Sequence, residues 1–132
     1  MVKEKNYPAG HKQKVLVVED DKDFLSILKI KFADEGIFIV SAEDGEEGIS
    51  VAEKEKPNLI LADILMPKIN GIEMIKKIRE SDENVSVIFL TNIQDADYTK
   101  DIEELGGAEY LIKSELRIND IVEKVKNKLT IG

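Results

Sequence analysis

Two spacings of apolar residues alternate along this chain. Short apolar runs occur at Val15-Leu16-Val17-Val18, Ile37-Phe38-Ile39-Val40, Leu59-Ile60-Leu61-Ala62, Val85-Ser86-Val87-Ile88-Phe89-Leu90 and Tyr110-Leu111-Ile112. They are too short for helices and rich in β-branched residues, so they read as strands. Most are apolar throughout, the pattern of parallel strands covered on both faces. Between them, apolar residues recur at helical spacing. Phe24, Leu28 and Phe32 make one stripe, Ile72, Ile75 and Ile78 a second, and Tyr98, Ile102 and Leu105 a third. Ile118, Ile121, Val122, Val125 and Leu129 make the last and clearest stripe. Around Ile49 and Ala52 the helical pattern is weakest.

Element ends carry matching signals. Asp44 with Glu47, and Asn70 with Glu73, have the spacing of a helix N-cap and an acid at the third helical position. Gly36 and the pair Gly106-Gly107 stand where helices should stop. Strand alternating with helix implies an α/β parallel sheet with right-handed crossovers. Residues 1–13 mix Lys, Asn, Pro and Gly without an apolar period and read as a flexible arm.

Composition narrows the classes. A chain of 132 residues suits one domain with a real core. It has no cysteine, which excludes disulfides and thiolate metal sites. No apolar run reaches the length of a membrane span, and the start lacks the apolar stretch of a secretory signal, so a cytoplasmic protein without membrane insertion is expected. The net charge of -8 argues against direct nucleic acid binding. His11, the single histidine, is too isolated in sequence for a metal site.

The polar residues at the strand ends are the informative feature. The first run ends in Glu19-Asp20-Asp21, the third in Asp63, the fourth in Thr91-Asn92 and the fifth in Lys113-Ser114. In a parallel sheet all strand C-termini lie on one edge, and ligands of open α/β sheets bind there, where the winding reverses. Three acids, a hydroxyl and an amine should therefore converge. Glu19, Asp20 and Asp63 together would repel unless a cation joined them. Oxygen ligands select a hard cation, with Mg²⁺ the expected one, and it retains waters that phosphoryl oxygens can replace. Lys113 suits an anionic oxygen and Thr91 offers a donor. The set is arranged for phosphoryl transfer. Taken singly, each residue has a plainer role: Asp20 or Asp21 as an N-cap, Thr91 or Lys113 as ordinary surface. Asp63 differs, because it lies in Leu61-Ala62-Asp63-Ile64-Leu65-Met66, where a buried charge is costly without a partner.

In this order the residues resemble the receiver domains of two-component response regulators. The resemblance runs from Lys14 to Leu129. Val15-Leu16-Val17-Val18-Glu19-Asp20-Asp21 is similar to the family's first strand and acidic pair, and Asp63-Ile64-Leu65-Met66-Pro67 with Asn70-Gly71 to its phosphoacceptor loop. The resemblance implies one receiver domain over residues 14–132 after the arm, with a flavodoxin-like, doubly wound five-stranded sheet in order 2-1-3-4-5 and five helices. It implies that Asp63 takes a phosphoryl group from a histidine kinase or histidine phosphotransfer protein. Mg²⁺ would be held by Asp20, Asp63, Glu19 and the backbone carbonyl of Leu65. Thr91 and Lys113 would each bind a phosphoryl oxygen, and Tyr110 would be a switch aromatic for an unknown downstream protein. The chain would be a self-phosphorylating regulator rather than an enzyme.

Four positions modify the pattern. Ser114 comes after Lys113 where the family usually has proline, which changes the ease of a cis peptide. Asn92 replaces a usually small residue, and Leu65 and Ile93 are apolar at the two variable positions beside the site, which points to slow autodephosphorylation. Three other functions compete. A flavin binder needs a Gly/Ser/Thr-rich loop after the first strand, where this chain has acids. An aspartate-nucleophile phosphatase usually has a second acid where Leu65 stands. A pseudo-receiver would keep the fold as an interaction module without phosphorylation.

Overall fold

A computed structural model describes residues 13–92 and 96–131. The apolar runs become strands β1 (Lys14–Val18), β2 (Phe38–Ala42), β3 (Leu59–Asp63), β4 (Ser86–Thr91) and β5 (Ala108–Ile112). The stretches between and after them become helices α1 (Lys22–Asp34), α2 (Gly45–Glu55), α3 (Gly71–Ile78), α4 (Ala96–Glu104) and α5 (Ile118–Ile131), with a short 3-10 turn over Lys113–Glu115. The strands form one parallel sheet in the order β2-β1-β3-β4-β5, as the family resemblance implies.

Alternate residues of each central strand serve two cores. Val15, Val17, Leu59, Leu61, Ile88 and Leu90 face α1 and α5, whose Leu28, Phe32, Val122 and Val125 cover them. Leu16, Val18, Ile60, Ala62, Val87 and Phe89 face the side covered by α2, α3 and α4. Each large side chain so buried contributes roughly 1.5–3 kcal/mol. β1, β3 and β4 are covered on both faces, and their apolar runs are continuous for that reason. β2 and β5 are edge strands. Phe38, at the start of β2, is half exposed, while Ile37, expected in that strand, lies just before it and is buried.

The helix ends obey the sequence signals. Asp44 caps α2 by accepting a hydrogen bond from the Glu47 amide at 2.8 Å. Asn70 and Glu73 form a reciprocal capping box on α3. Gly36, Gly106 and Gly107 adopt left-handed φ values of 76°, 69° and 74°, which side chains disfavour. Helix α2 forms despite its faint stripe because its contact face is made of Gly45, Gly48 and Ala52. A Cβ on Gly48 would come within 2.6 Å of the Met74 sulfur, so this helix lies unusually close to its neighbours.

Candidate functional site

Strand register assembles the site. Val18 pairs with Ala62, so Glu19 and Asp63 leave adjacent strands at the same level. Asp63 pairs with Leu90, and Thr91 is one step further on. Thr91 pairs with Ile112, and Lys113 is the next residue after that. These strand ends meet beside β1 and β3, where the winding of the sheet reverses.

Glu19 is 2% exposed. One carboxylate oxygen accepts from the Asp21 amide at 3.0 Å, and the other lies 2.8 Å from Lys113 Nζ. Asp63 accepts from the Ile64 amide at 2.8 Å and pairs through its second oxygen with Lys113 Nζ at 3.1 Å. The Lys113 and Asp63 side chains are each 14% exposed. Asp20 is exposed, yet oxygens of Glu19, Asp20 and Asp63 lie within 4.8 Å of one another. Burial pushes the carboxyls of Glu19 and Asp63 above their usual range, against the pull of Lys113. Burial also works against the charge on Lys113. The hydrogen bonds and charges of Glu19 and Asp63 outweigh it and push the ammonium up.

Asp21 stands apart from this cluster. It caps α1, accepting from the amides of Asp23 and Phe24 at 3.1 and 3.2 Å. Thr91 is buried at the end of β4, and Asn92 is exposed. The Leu65 side chain is 50% exposed on the loop after Asp63. Tyr110 points to the surface from edge strand β5, in register with Phe89. No cis peptide occurs among the described residues, so the Lys113–Ser114 bond is trans. Ile93 and His11 lie outside the described residues, as does the arm apart from Gln13.

Sequence reasoning misses Phe24 as a contributor and takes Gly71 only as part of the loop motif. Phe24 reads as one residue of a core stripe, but Leu25 takes the deep position and the Phe24 ring lies 4.7 Å beneath Lys113 Nζ. Its position three residues after the N-cap Asp21 is the available signal. Gly71 donates to the Ile64 carbonyl at 2.7 Å, and a Cβ there would fall on the Asp63 carbonyl oxygen. The loop after Asp63 can therefore close only on a glycine. Lys68 in the same loop holds φ 76° and pairs with Asp44 at 3.4 Å and Glu46 at 3.7 Å.

The donor set fits a hard divalent cation: three carboxylates, an open side at Asp20, and no nitrogen or sulfur ligand within it. Such an ion would offset the burial, and the smaller mutual repulsion, that push Glu19 and Asp63 up. The convergence of these acids with a lysine at the winding reversal supports anionic oxygen chemistry rather than flavin binding.

Comparison with known proteins agrees. Residues 15–126 match the response regulator receiver domain family. Sporulation initiation phosphotransferase F of Bacillus subtilis is 31% identical over 119 residues, covering 90% of this chain and 95% of that protein. The alkaline phosphatase synthesis transcriptional regulatory protein PhoP of the same organism is 35% identical over 102 residues, covering 76% of this chain and 42% of that protein. This chain spans about half the length of several other curated relatives that it matches. A solved CheY-like receiver domain protein from Methanospirillum hungatei superposes with a TM-score of 0.84 at 28% identity, covering 90% of this chain and 94% of the other. No helix among the described residues is long and apolar enough to cross a membrane. With the predicted strand order observed and the family matched across both cores, this chain belongs to the receiver domains of two-component response regulators.

Proposed function

We propose that residues 14–132 are a phosphoacceptor switch working in the cytoplasm, with Asp63 as the acceptor. The observation that carries this is the convergence of Glu19, Asp20, Asp63 and Lys113 on one point from three strand ends. A carboxylate oxygen of Asp63 attacks the phosphorus of a phosphohistidine on a histidine kinase or histidine phosphotransfer protein. A new P–O bond forms, the P–N bond breaks, and its electron pair returns to the imidazole, which takes up a proton. Glu19, Asp20, Asp63 and the Leu65 carbonyl would hold Mg²⁺, which would supply charge neutralisation for the transferred group. Lys113 is already poised 3.1 Å from Asp63 and exchanges that contact for a phosphoryl oxygen. Thr91 donates its hydroxyl to another, and Tyr110 reports the change on the surface offered to a downstream protein. The net charge of -8 favours a protein over nucleic acid as the direct target of this segment.

The test is incubation with Mg²⁺ and acetyl phosphate, then intact mass. We expect one added phosphoryl group on the wild type and none on Asp63→Asn or when the metal is chelated. No adduct on the wild type would instead favour an interaction module that does not depend on phosphate. An adduct that survives Asp63→Asn would overturn the site assignment.

A further inference from the structure

Away from the acidic site, one side chain joins three elements. Arg79 comes directly after the last residue of α3, and its amide donates to the Ile75 carbonyl at 2.9 Å. One guanidinium nitrogen, Nη1, donates to the carbonyl of Leu105 and, at 2.8 Å, to that of Gly106. Nη2 donates to the Val85 carbonyl at 3.0 Å. Its Nε is buried and makes no hydrogen bond, a cost that the three carbonyl contacts offset. Val85 immediately precedes β4, and Leu105-Gly106 lie between α4 and β5. The chain is left-handed at Gly106 and Gly107, so the clasp sits on the reversal into β5.

The strands that begin at this clasp end in the site. β4 ends at Thr91, and β5 carries Tyr110 and leads into Lys113. At about 3.3 Å per residue, the clasp is roughly 20 Å from Thr91 along β4. Helix α4 joins the two strands, and its described side chains give it little apolar anchoring. Ile102 is its buried side chain among those described, with Tyr98 and Leu105 partly buried against the same core. A helix with so little apolar anchoring and one end bonded to a charged fork has one fixed end.

We propose that Arg79 is the fixed pivot of the output side of the switch, a reading that rests on the function proposed above. It pins the C-terminal end of α4 to α3 and to the start of β4. Displacement at Thr91 therefore swings the site-side end of α4 and leaves the clasped end in place. Arg79 touches no reacting atom, so it acts as a positioning residue. Only a planar fork reaches three carbonyls in this way; a lysine keeps the charge and loses the clasp.

Residue-resolved amide exchange tests this on wild type, Arg79→Lys and Arg79→Met, each with and without acetyl phosphate and Mg²⁺. Without phosphodonor, both substitutions should raise exchange at Glu103–Gly107 by about tenfold, with Ile88 and Phe89 in β4 within about twofold of wild type. With phosphodonor, wild-type exchange should change at Lys100 and Asp101 and stay level at Glu103–Gly107. In Arg79→Lys both groups should change. A local rise below twofold, or an equal rise in β4, overturns the pivot, since the latter is only lost stability. So does a wild-type response to phosphodonor as large at Glu103–Gly107 as at Lys100. If Arg79→Met does not fold, Arg79→Lys carries the comparison. Failure of any adduct to form would count against the proposed function, while the arms without phosphodonor still decide the clasp.

Discussion

At the scale of single residues, the site stores unfavourable charge that folding tolerates for the sake of chemistry. Asp63 and Glu19 hold protons more tightly folded than unfolded, because burial raises both. Between the ordinary carboxylate value near about 4 and the raised value, the folded state binds more protons. Rising pH across that window therefore removes stability. Asp63→Asn should melt higher than wild type without metal, and its advantage should grow as pH rises above the ordinary carboxylate value through the raised one. Thermal melts at matched pH check this, and an advantage that shrinks as pH rises would contradict it. Lifetime is a separate matter. Leu65 is 50% exposed, so it stands where solvent approaches, yet it offers no hydrogen bond to a water. Replacing Leu65 with Asn and Ile93 with Glu together should speed loss of phosphate by roughly an order of magnitude, below the usual worth of a placed acid or base. Decay of the phosphorylated protein measures it, and an unchanged lifetime would show that Leu65 and Ile93 do not set it. Of these residues, Asp63, Glu19 and Asp20 are legible in the sequence as acids in apolar or strand-end positions. Phe24 is not, because a ring under a lysine and a ring in a core leave the same mark in a sequence.

At the scale of elements, glycine decides what can approach what. Gly71 opens α3, where alanine would ordinarily be the better helix former by up to about 1 kcal/mol. Here the added Cβ would fall on the Asp63 carbonyl. Gly71→Ala should thus destabilise by about 1–3 kcal/mol, against propensity, and should lower phosphate uptake as the loop shifts. Denaturant unfolding read beside the intact-mass assay tests both halves; a stabilised variant would show that the loop yields. The same physics explains which helices can be read. Bulky stripes announce α3 and α5, whereas α2 packs through Gly45, Gly48 and Ala52, and hydrophobic periodicity does not register a face made of absence. Edge strands also differ from the pattern. β5 pairs on one side only, and its Glu109 and Tyr110 are exposed.

At the scale of the whole molecule, the strand order does the assembling. The order 2-1-3-4-5 is legible only through family resemblance, since alternating strands and helices allow several windings. Once the order is set, register brings residues 94 positions apart, Glu19 and Lys113, to 2.8 Å. Mg²⁺ that binds the folded site and not the unfolded chain should raise the melting temperature of wild type. Saturation to a hundred times the dissociation constant is worth about 2.7 kcal/mol. Asp63→Asn should lose most of that gain, and chelation should abolish it in both. An equal gain in wild type and variant would place the metal elsewhere.

The convergence of strand ends has one more consequence. A slip of one residue in any central strand would turn its terminal group to the opposite face of the sheet. Glu19, Asp63, Thr91 and Lys113 each stand at or just past the end of a different strand, so three neighbouring pairings must all be in phase for them to meet. Uptake of one phosphoryl group would therefore act as a checksum on the sheet. A refolding chain, a permuted variant or a recombined hybrid could be graded for correct strand phase by mass alone, without a structure being solved.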